Sequence, residues 1–344
     1  HPERLAPNMP ERLLAAFAHT DEHLKRADEE MRFAQDNNIS IITLADEAYP
    51  QRLKACFDAP LALFFKGNVN LNAKHCISIV GTRKATPYAA DCIAQLTARL
   101  KQLCPDILIV SGLAYGVDIM AHRQAIDHAL PTVAVLAHGL DTLYPTRHRK
   151  EATLMMQNGG LLTEYFSQSK IDKRNFLQRN RIVAGMSAAT LLVESAEHGG
   201  GLVTCRLAQS YQHDVFAFPG SINNPYSVGC NRLIRDNMAG LVTSAEDILK
   251  AMAWEEDIKE TVATNGASSM GSSVLGATSA STAKVPNGAQ GVLDVLTKEN
   301  DLHIDIIATR AGLPVNKVLA LLFQLEMSGM VSSLSGGRYH KVNS

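Results

Sequence analysis

Between Cys76 and about Leu249, short β-branched apolar runs alternate with longer stretches of helical periodicity, and that alternation restricts the chain to a parallel sheet covered by helices. The runs are HCISIV, DILIVS, TVAVLA, GLLTEY, TLLVES and DVFAF. They are nearly continuous in apolar residues, as strands buried on both faces must be. Two further strands, around Ile41 and Leu63, are expected as an accessory or edge pair. The expected fold class is α/β, an extended Rossmann-like, doubly wound and mainly parallel sheet.

The flanks have a different character. Residues 1–40 are charged and helical in pattern, and are expected to be an N-terminal helical remnant of a longer domain, with the main domain at 41–254. The chain opens at His1 with HPERLAPNMP, which lacks the apolar run of a signal peptide and points to a cytoplasmic protein. The segment 255–286 is rich in Ser, Thr, Gly and Ala, a composition that buries too little apolar surface to order itself, and is read as a linker. From 287 to 344 periodic apolar residues return in three helical stretches. A hairpin follows, with Gly336 and Gly337 at its turn, and the set suggests a small winged-helix domain.

Composition excludes several functions. At 344 residues, 46% hydrophobic and 19% charged, the chain reads as globular, with no apolar stretch of bilayer-spanning length, so no membrane association is expected. The 6 cysteines are scattered without a C-x-x-C pair, which argues for reduced thiols and against zinc. With Lys+Arg 33 against Asp+Glu 34 the chain is no bulk polyanion binder, so any nucleic-acid surface must be local. Walker A, G-x-G-x-x-G, H-E-x-x-H and G-x-S-x-G sequences are all absent; no cofactor, metal or catalytic residue is expected.

Glycines follow four of the strands, at Gly81, Gly112, Gly139 and Gly220, and in a parallel sheet the carboxyl ends of all strands lie on one edge, where ligands bind. The first loop, GTRKATPYAA, places Thr86 as N-cap and Pro87 at the first helical position. Its helix N-terminus, with Gly81, Thr82 and Arg83, offers a phosphate site; an ordinary strand-to-helix turn is the alternative. The second loop brings Ser111 and Gly112 to the same edge, followed by Asp118 and His122 one helical turn apart, a spacing more often electrostatic than catalytic. Gly199, Gly200 and Gly201 form a second possible phosphate nest or a plain tight turn. The basic run RHRK at 147–150 reads as a solvated helix face. Most informative is KRNFLQRNRIVAGMS, with Lys173, Arg174, Arg179 and Arg181 around Phe176. Cations that hold phosphates beside a ring that stacks on a base suit a sequence-tolerant single-strand binder, while a core-facing Phe176 on a helix with a basic outer face is the alternative.

These pieces, in this order, resemble the DNA-processing protein A family (DprA, also called Smf), from about Ile41 to Leu249. The carrying motifs are SIVGTRKATPYA, VSGLAYGVDIMAH, GLDTLYP, LLTEY, FLQRNRIVAG, FAFPG and GCNRLI. The resemblance implies a non-catalytic protein that binds and protects single-stranded DNA, forms homodimers, and loads the recombinase RecA during natural transformation. It implies DNA contacts from Arg83, Lys173 and Phe176, to which Gly81, Thr82, Thr86, Ser111, Gly112, Arg174, Arg179, Asn180 and Gly199, Gly200 and Gly201 are added as neighbours. It also implies a dimer interface in NRLIRDNMAGLV, including Ile234 and Leu241, whose alternative is internal packing. Thr82 stands where the family commonly has serine, and HGGG where it often has serine-glycine-serine. The C-terminal helix PVNKVLALLFQ offers only Asn316 and Lys317 as donors, too few to read a duplex. The competing function is a nucleotide-binding enzyme such as a nucleotide phosphoribohydrolase, with Glu194 or Asp118 as acid or base. A winged-helix transcription factor is a third reading.

Overall fold

Alternate residues of the central strands are buried on opposite faces of one sheet, which is why their sequences are apolar without a break. In a computed structural model describing residues 20–255, 289–334 and 336–342, two compact units are present. The first unit holds nine strands: β1 (Ser40–Thr43), β2 (Ala62–Gly67), β3 (Cys76–Val80), β4 (Leu108–Ser111), β5 (Thr132–Val135), β6 (Gly159–Thr163), β7 (Ala189–Leu192), β8 (Asp214–Ala217) and β9 (Gly240–Leu241). Their order in the sheet is β1-β2-β6-β5-β4-β3-β7-β8-β9. Strands β3 to β9 run parallel to one another, and β1 and β2 form the expected edge pair, antiparallel to each other, with β2 antiparallel to β6.

The helices of this unit are α1 (Thr20–Asp36), α2 (Gln51–Lys54), α3 (Pro87–Leu103), α4 (Val117–Asp127), α5 (Arg149–Met155), α6 (Lys173–Met186), α7 (Gly200–Ser210), α8 (Val228–Arg235) and α9 (Ala245–Ala251). Ile77, Ile79 and Ile109 pack beneath α3, α4 and α9 with Ile93, Leu100, Ala121 and Ile248. On the other face, Val80, Leu108 and Val110 pack beneath α6, α7 and α8 with Ile182, Leu202 and Leu233. At about 25 cal/mol per Å² of apolar surface, these two layers are the main source of stability.

The chain winds outward from β3 through β4 and β5 to β6, then returns to lay β7 on the other side of β3 and continues to β8 and β9. Val80 of β3 is therefore in register with Leu192 of β7. The crossover direction reverses between these two strands, so the loops that leave them diverge and open a crevice, the switch point at which open α/β sheets bind ligands.

Helix α1 lies within the stretch expected as a remnant. It packs Ala34 against Ile39 and Phe64, and its buried Glu30 accepts from the Ser167 backbone N–H and hydroxyl at 2.9 and 2.6 Å. The linker reading falls almost wholly on residues outside those described, as does the chain before residue 20. The described residues of the second unit form three helices, α10 (Gln290–Lys298), α11 (Ile304–Ala311) and α12 (Val315–Met327). Its three-stranded sheet runs β10 (Leu302–His303), β12 (Arg338–Lys341), β11 (Val331–Leu334), and Gly336 and Gly337 turn at φ 79° and 69°, a region open to glycine. This is the winged-helix arrangement.

Candidate nucleic-acid interface

A groove of about 320 Å³ lies at the switch point, lined by the loop after β3, the start of the loop after β4, the first half of α6 and the N-terminus of α7. Of the residues expected at a site, Gly81, Thr82, Arg83, Gly112, Phe176, Arg179, Asn180, Gly199, Gly200 and Gly201 line it. The loops at Gly139 and Gly220 do not: β5 lies two strands from the switch point, and Gly220 is held by the Asn231 side chain, which accepts from its N–H at 3.0 Å and donates to its carbonyl at 2.9 Å.

The wall on the α6 side is an aromatic set between cations. The Arg83 guanidinium carbon lies 5.6 Å from the centroid of the partly buried Phe176 ring, and Tyr144, 44% exposed, meets that ring edge-on at 5.7 Å. Lys173 and Arg174, both exposed, occupy the first two positions of α6. Asp172 caps this helix by accepting from the Arg174 N–H at 2.8 Å, which is why the basic segment begins helical structure at Lys173. Leu177, 55% exposed, extends the apolar patch into the groove.

The opposite wall is the start of α7. Gly199 is its N-cap and has no side chain to satisfy the first helical N–H groups, which leaves these donors and the positive end of the helix at the groove. The three glycines are not equivalent. A Cβ on Gly201 would sit 2.8 Å from Leu192 Cδ1 and 3.1 Å from the Gly81 Cα, so close packing of α7 on the first loop requires glycine there. A Cβ on Gly200 would meet nothing within 4 Å.

Several expectations are revised. The N-terminus of α3, expected as an open phosphate site, is already occupied. Thr86 is the N-cap residue and Pro87 follows it, but Thr86 donates its N–H to Glu194 Oε2 at 2.9 Å and its hydroxyl to Glu194 Oε1 at 2.7 Å. The buried Glu194 carboxylate thus serves as the anion of that helix end, and Thr86 does not line the groove. The Ser111 hydroxyl is fully buried and donates to the Ile79 carbonyl at 2.6 Å, so it fastens β4 to β3 and does not face a ligand.

Arg179 touches the groove from beneath. It is 3% exposed, and one guanidinium nitrogen donates to the carbonyls of both Gly112 and Val135, fastening the ends of β4 and β5. Gly112 must be glycine because a Cβ would lie 2.5 Å from the Arg179 guanidinium carbon. Burial pulls the Arg179 pKa down, and the nearby Asp118 carboxylate counters this. Asn180 is also buried and lies against Arg179 Nε at 3.3 Å.

Asp118 and His122 do not form an acid-base pair. Burial raises the Asp118 carboxyl, opposed by the Arg179 charge, and its Oδ2 accepts from the Ala114 N–H at 3.4 Å. His122 pairs with the Thr132 hydroxyl at 2.8 Å, and burial pushes it down to about 3. Among the described residues, no group of three His, Cys, Asp or Glu side chains is placed to hold a metal ion, and no single helix is long and apolar enough to cross a membrane.

His198 and Thr204 also line the groove. His198 is legible in retrospect, being exposed and directly before the three glycines. At the expected dimer surface, Leu241 is 54% exposed on the edge strand β9, whereas Ile234 is partly buried against the core, so internal packing describes Ile234 in part.

The profile of the family described as DNA recombination-mediator protein A matches residues 40–253, and that of the DprA winged helix domain matches residues 276–337. The chain is 33% identical over 318 residues to Protein Smf of Escherichia coli strain K12, covering 91% of this chain and 80% of that protein. It is 36% identical over 207 residues to the DNA processing protein DprA of Streptococcus pneumoniae, covering 60% of this chain and 72% of that one. The X-ray structure of the Streptococcus pneumoniae protein superposes with a TM-score of 0.58 at 35% identity, over 62% of this chain and 74% of that one. DNA processing protein A from Helicobacter pylori, whose structure was described for its single-stranded DNA binding mode, superposes with a TM-score of 0.56 at 29% identity, over 63% of this chain and 96% of that one.

Proposed function

This chain belongs to the DNA recombination-mediator protein A family, and from that premise we propose that its switch-point groove holds single-stranded DNA for hand-over to a recombinase. The observation that carries the reading is the pairing of a stacking platform with an anion site across one groove. Phe176, flanked by Arg83 and Tyr144, presents a ring to a base, while the uncapped N-terminus of α7 faces it with backbone N–H groups. Every base has a π-face and every nucleotide a phosphate, so this combination binds without reading sequence.

Arg83 and Lys173 supply phosphate contacts, with Arg174 close by. Arg179, Asn180, Gly112 and Gly81 shape the groove from below, and Thr82, whose hydroxyl accepts from the Lys84 N–H at 3.1 Å, fixes the first loop. The carboxylates nearest the groove support a non-catalytic role. Glu194 is bound to Thr86, and Asp118, which reaches the groove wall, is buried with the Arg179 charge beside it. The recombinase partner, RecA in the bacterial setting of the family, and a homodimer built on the exposed Leu241 edge complete the proposal.

The experiment is a titration of single-stranded against duplex oligonucleotides of equal length, with incubation of nucleoside monophosphates alongside. Preference for the single strand with no released base is expected; sustained base release would favour the phosphoribohydrolase reading.

A further inference from the structure

Between the end of β6 and the middle of α6, residues 164–178 contain one buried residue, Ser167, and α1 takes all three of its polar groups. Both carboxylate oxygens of Glu30 accept from the Ser167 N–H, at 2.9 and 3.0 Å, and Oε2 also accepts from its hydroxyl at 2.6 Å. Arg26, one helical turn earlier, closes the set. Its Nη2 donates to Glu30 Oε2 at 2.7 Å and to the Ser167 carbonyl at 2.6 Å, and its guanidinium carbon lies 5.4 Å from the Phe166 ring centroid. The same linker is tied to the loop that carries Tyr144. The Gln168 N–H donates to Asp141 Oδ2 at 2.9 Å, and the two segments run so close that a Cβ on Gly139 would lie 2.3 Å from the Phe166 carbonyl oxygen.

We propose that Glu30 and Arg26 of α1 are positioning residues for the groove: they fix the linker from which α6 presents Lys173 and Phe176, an inference that rests on the reading of the groove as a single-strand site. Neither residue lines the groove, so their effect on binding passes through Ser167. Ser167 stands six residues before Lys173 and nine before Phe176, and the first buried residue of α6 is Arg179, so the opening of that helix has no deep anchor of its own. Asp172, which caps it, belongs to the same linker. Released from α1, residues 164–172 sample more conformations, the cap is lost for part of the time, and a strand must pay the ordering entropy on binding. A buried, paired carboxylate adds little net stability over an apolar contact of its size, but each of its hydrogen bonds demands one geometry, which is what a site needs from the residues behind it.

The test compares the full chain with Glu30→Gln, which keeps the shape but turns one acceptor into a donor, and with Ser167→Ala, which removes only the hydroxyl. Trypsin reports on the linker directly, because Lys170, Lys173 and Arg174 are exposed within or beside it. Cleavage at these three, followed by mass spectrometry, should quicken about fivefold in Glu30→Gln and less in Ser167→Ala, with cleavage after the exposed Lys250 unchanged. Titration with a fluorescent oligo(dT) should show affinity weakened about fivefold in Glu30→Gln at an unchanged stoichiometry, and a Phe176→Ala penalty smaller in that background than in the parent. A Glu30→Gln chain that is cut and binds like the parent overturns the inference. So does a loss seen only as fewer binding-competent molecules, as faster cleavage at Lys250 as well, or with the Phe176→Ala penalty intact, each of which marks a merely structural role. A parent that binds no oligo(dT), or binds it equally well with Phe176→Ala, overturns the site and this inference with it.

Discussion

The guanidinium of Arg83 sits over the ring of Phe176, 5.6 Å from its centroid, although 93 positions of sequence separate the two: Arg83 lies in the loop that leaves β3 and Phe176 in the first turn of α6. The pair joins the two kinds of contact a single strand needs, a cation for phosphate and a π-face for a base. Phe176→Ala is expected to weaken single-strand binding by ~1–3 kcal/mol, whereas Phe176→Trp should keep most of it. Because Arg83 rests on the ring, the double variant with Arg83→Ala should lose less than the two single losses added together, as fluorescence titration of the four proteins would show.

The two glycines at the start of α7 should separate stability from binding. Gly201→Ala places a methyl against Leu192 and the Gly81 backbone and should cost about 1–3 kcal/mol in denaturant unfolding. Gly200→Ala meets no protein atom within 4 Å and lies in a helix, so its unfolding midpoint should be unchanged or slightly higher. Its methyl points into the groove, however, and single-strand affinity should fall.

Glu194 illustrates a carboxylate that reads as chemistry in sequence and proves to be architecture. Glu194→Ala strands the Thr86 N–H and hydroxyl at a half-buried helix end and should cost about 1–2 kcal/mol of stability. It should leave no hydrolytic activity to lose, since none is expected in the parent; thermal melts and a nucleoside monophosphate assay check the two halves.

His122 predicts an acid sensitivity. Its folded-state pKa is depressed to about 3 from an ordinary value near 6.5, so below about 6.5 the unfolded chain takes up a proton that the folded chain refuses. Stability is then fully present above that pH and falls as pH drops toward 3, at up to about 1.4 kcal/mol per pH unit. The raised Asp118 carboxyl acts in the opposite sense above its ordinary 3.8, so the contribution of His122 is isolated by comparison with His122→Gln. Urea unfolding between pH 4 and 7 should be less pH-dependent in that variant.

The sheet was legible because burial on both faces writes unbroken β-branched runs such as CISIV and TVAV, and the winged helix because its apolar periodicity resumes after a polar stretch. The placement of Phe176 beside the first loop was implied by family motifs more than by periodicity. What the chain hides is long-range pairing. Thr86 and Glu194 lie 108 positions apart, and no local pattern announces that one end of a helix is closed by the end of a distant strand. Arg179 reads in the sequence as one of a cluster of cations around Phe176, although its spacing to Ile182, Val183 and Met186 puts it on the inward face of α6.

The most direct test is the salt dependence of single-strand binding in the parent, Arg83→Gln and Phe176→Ala. With about three phosphate contacts, log affinity should fall against log salt with a slope near roughly −2; Arg83→Gln should make it shallower by about 0.7, and Phe176→Ala should lower affinity at an unchanged slope. A slope near zero, or two variants that bind like the parent, would contradict a strand held between Arg83, Phe176 and the start of α7.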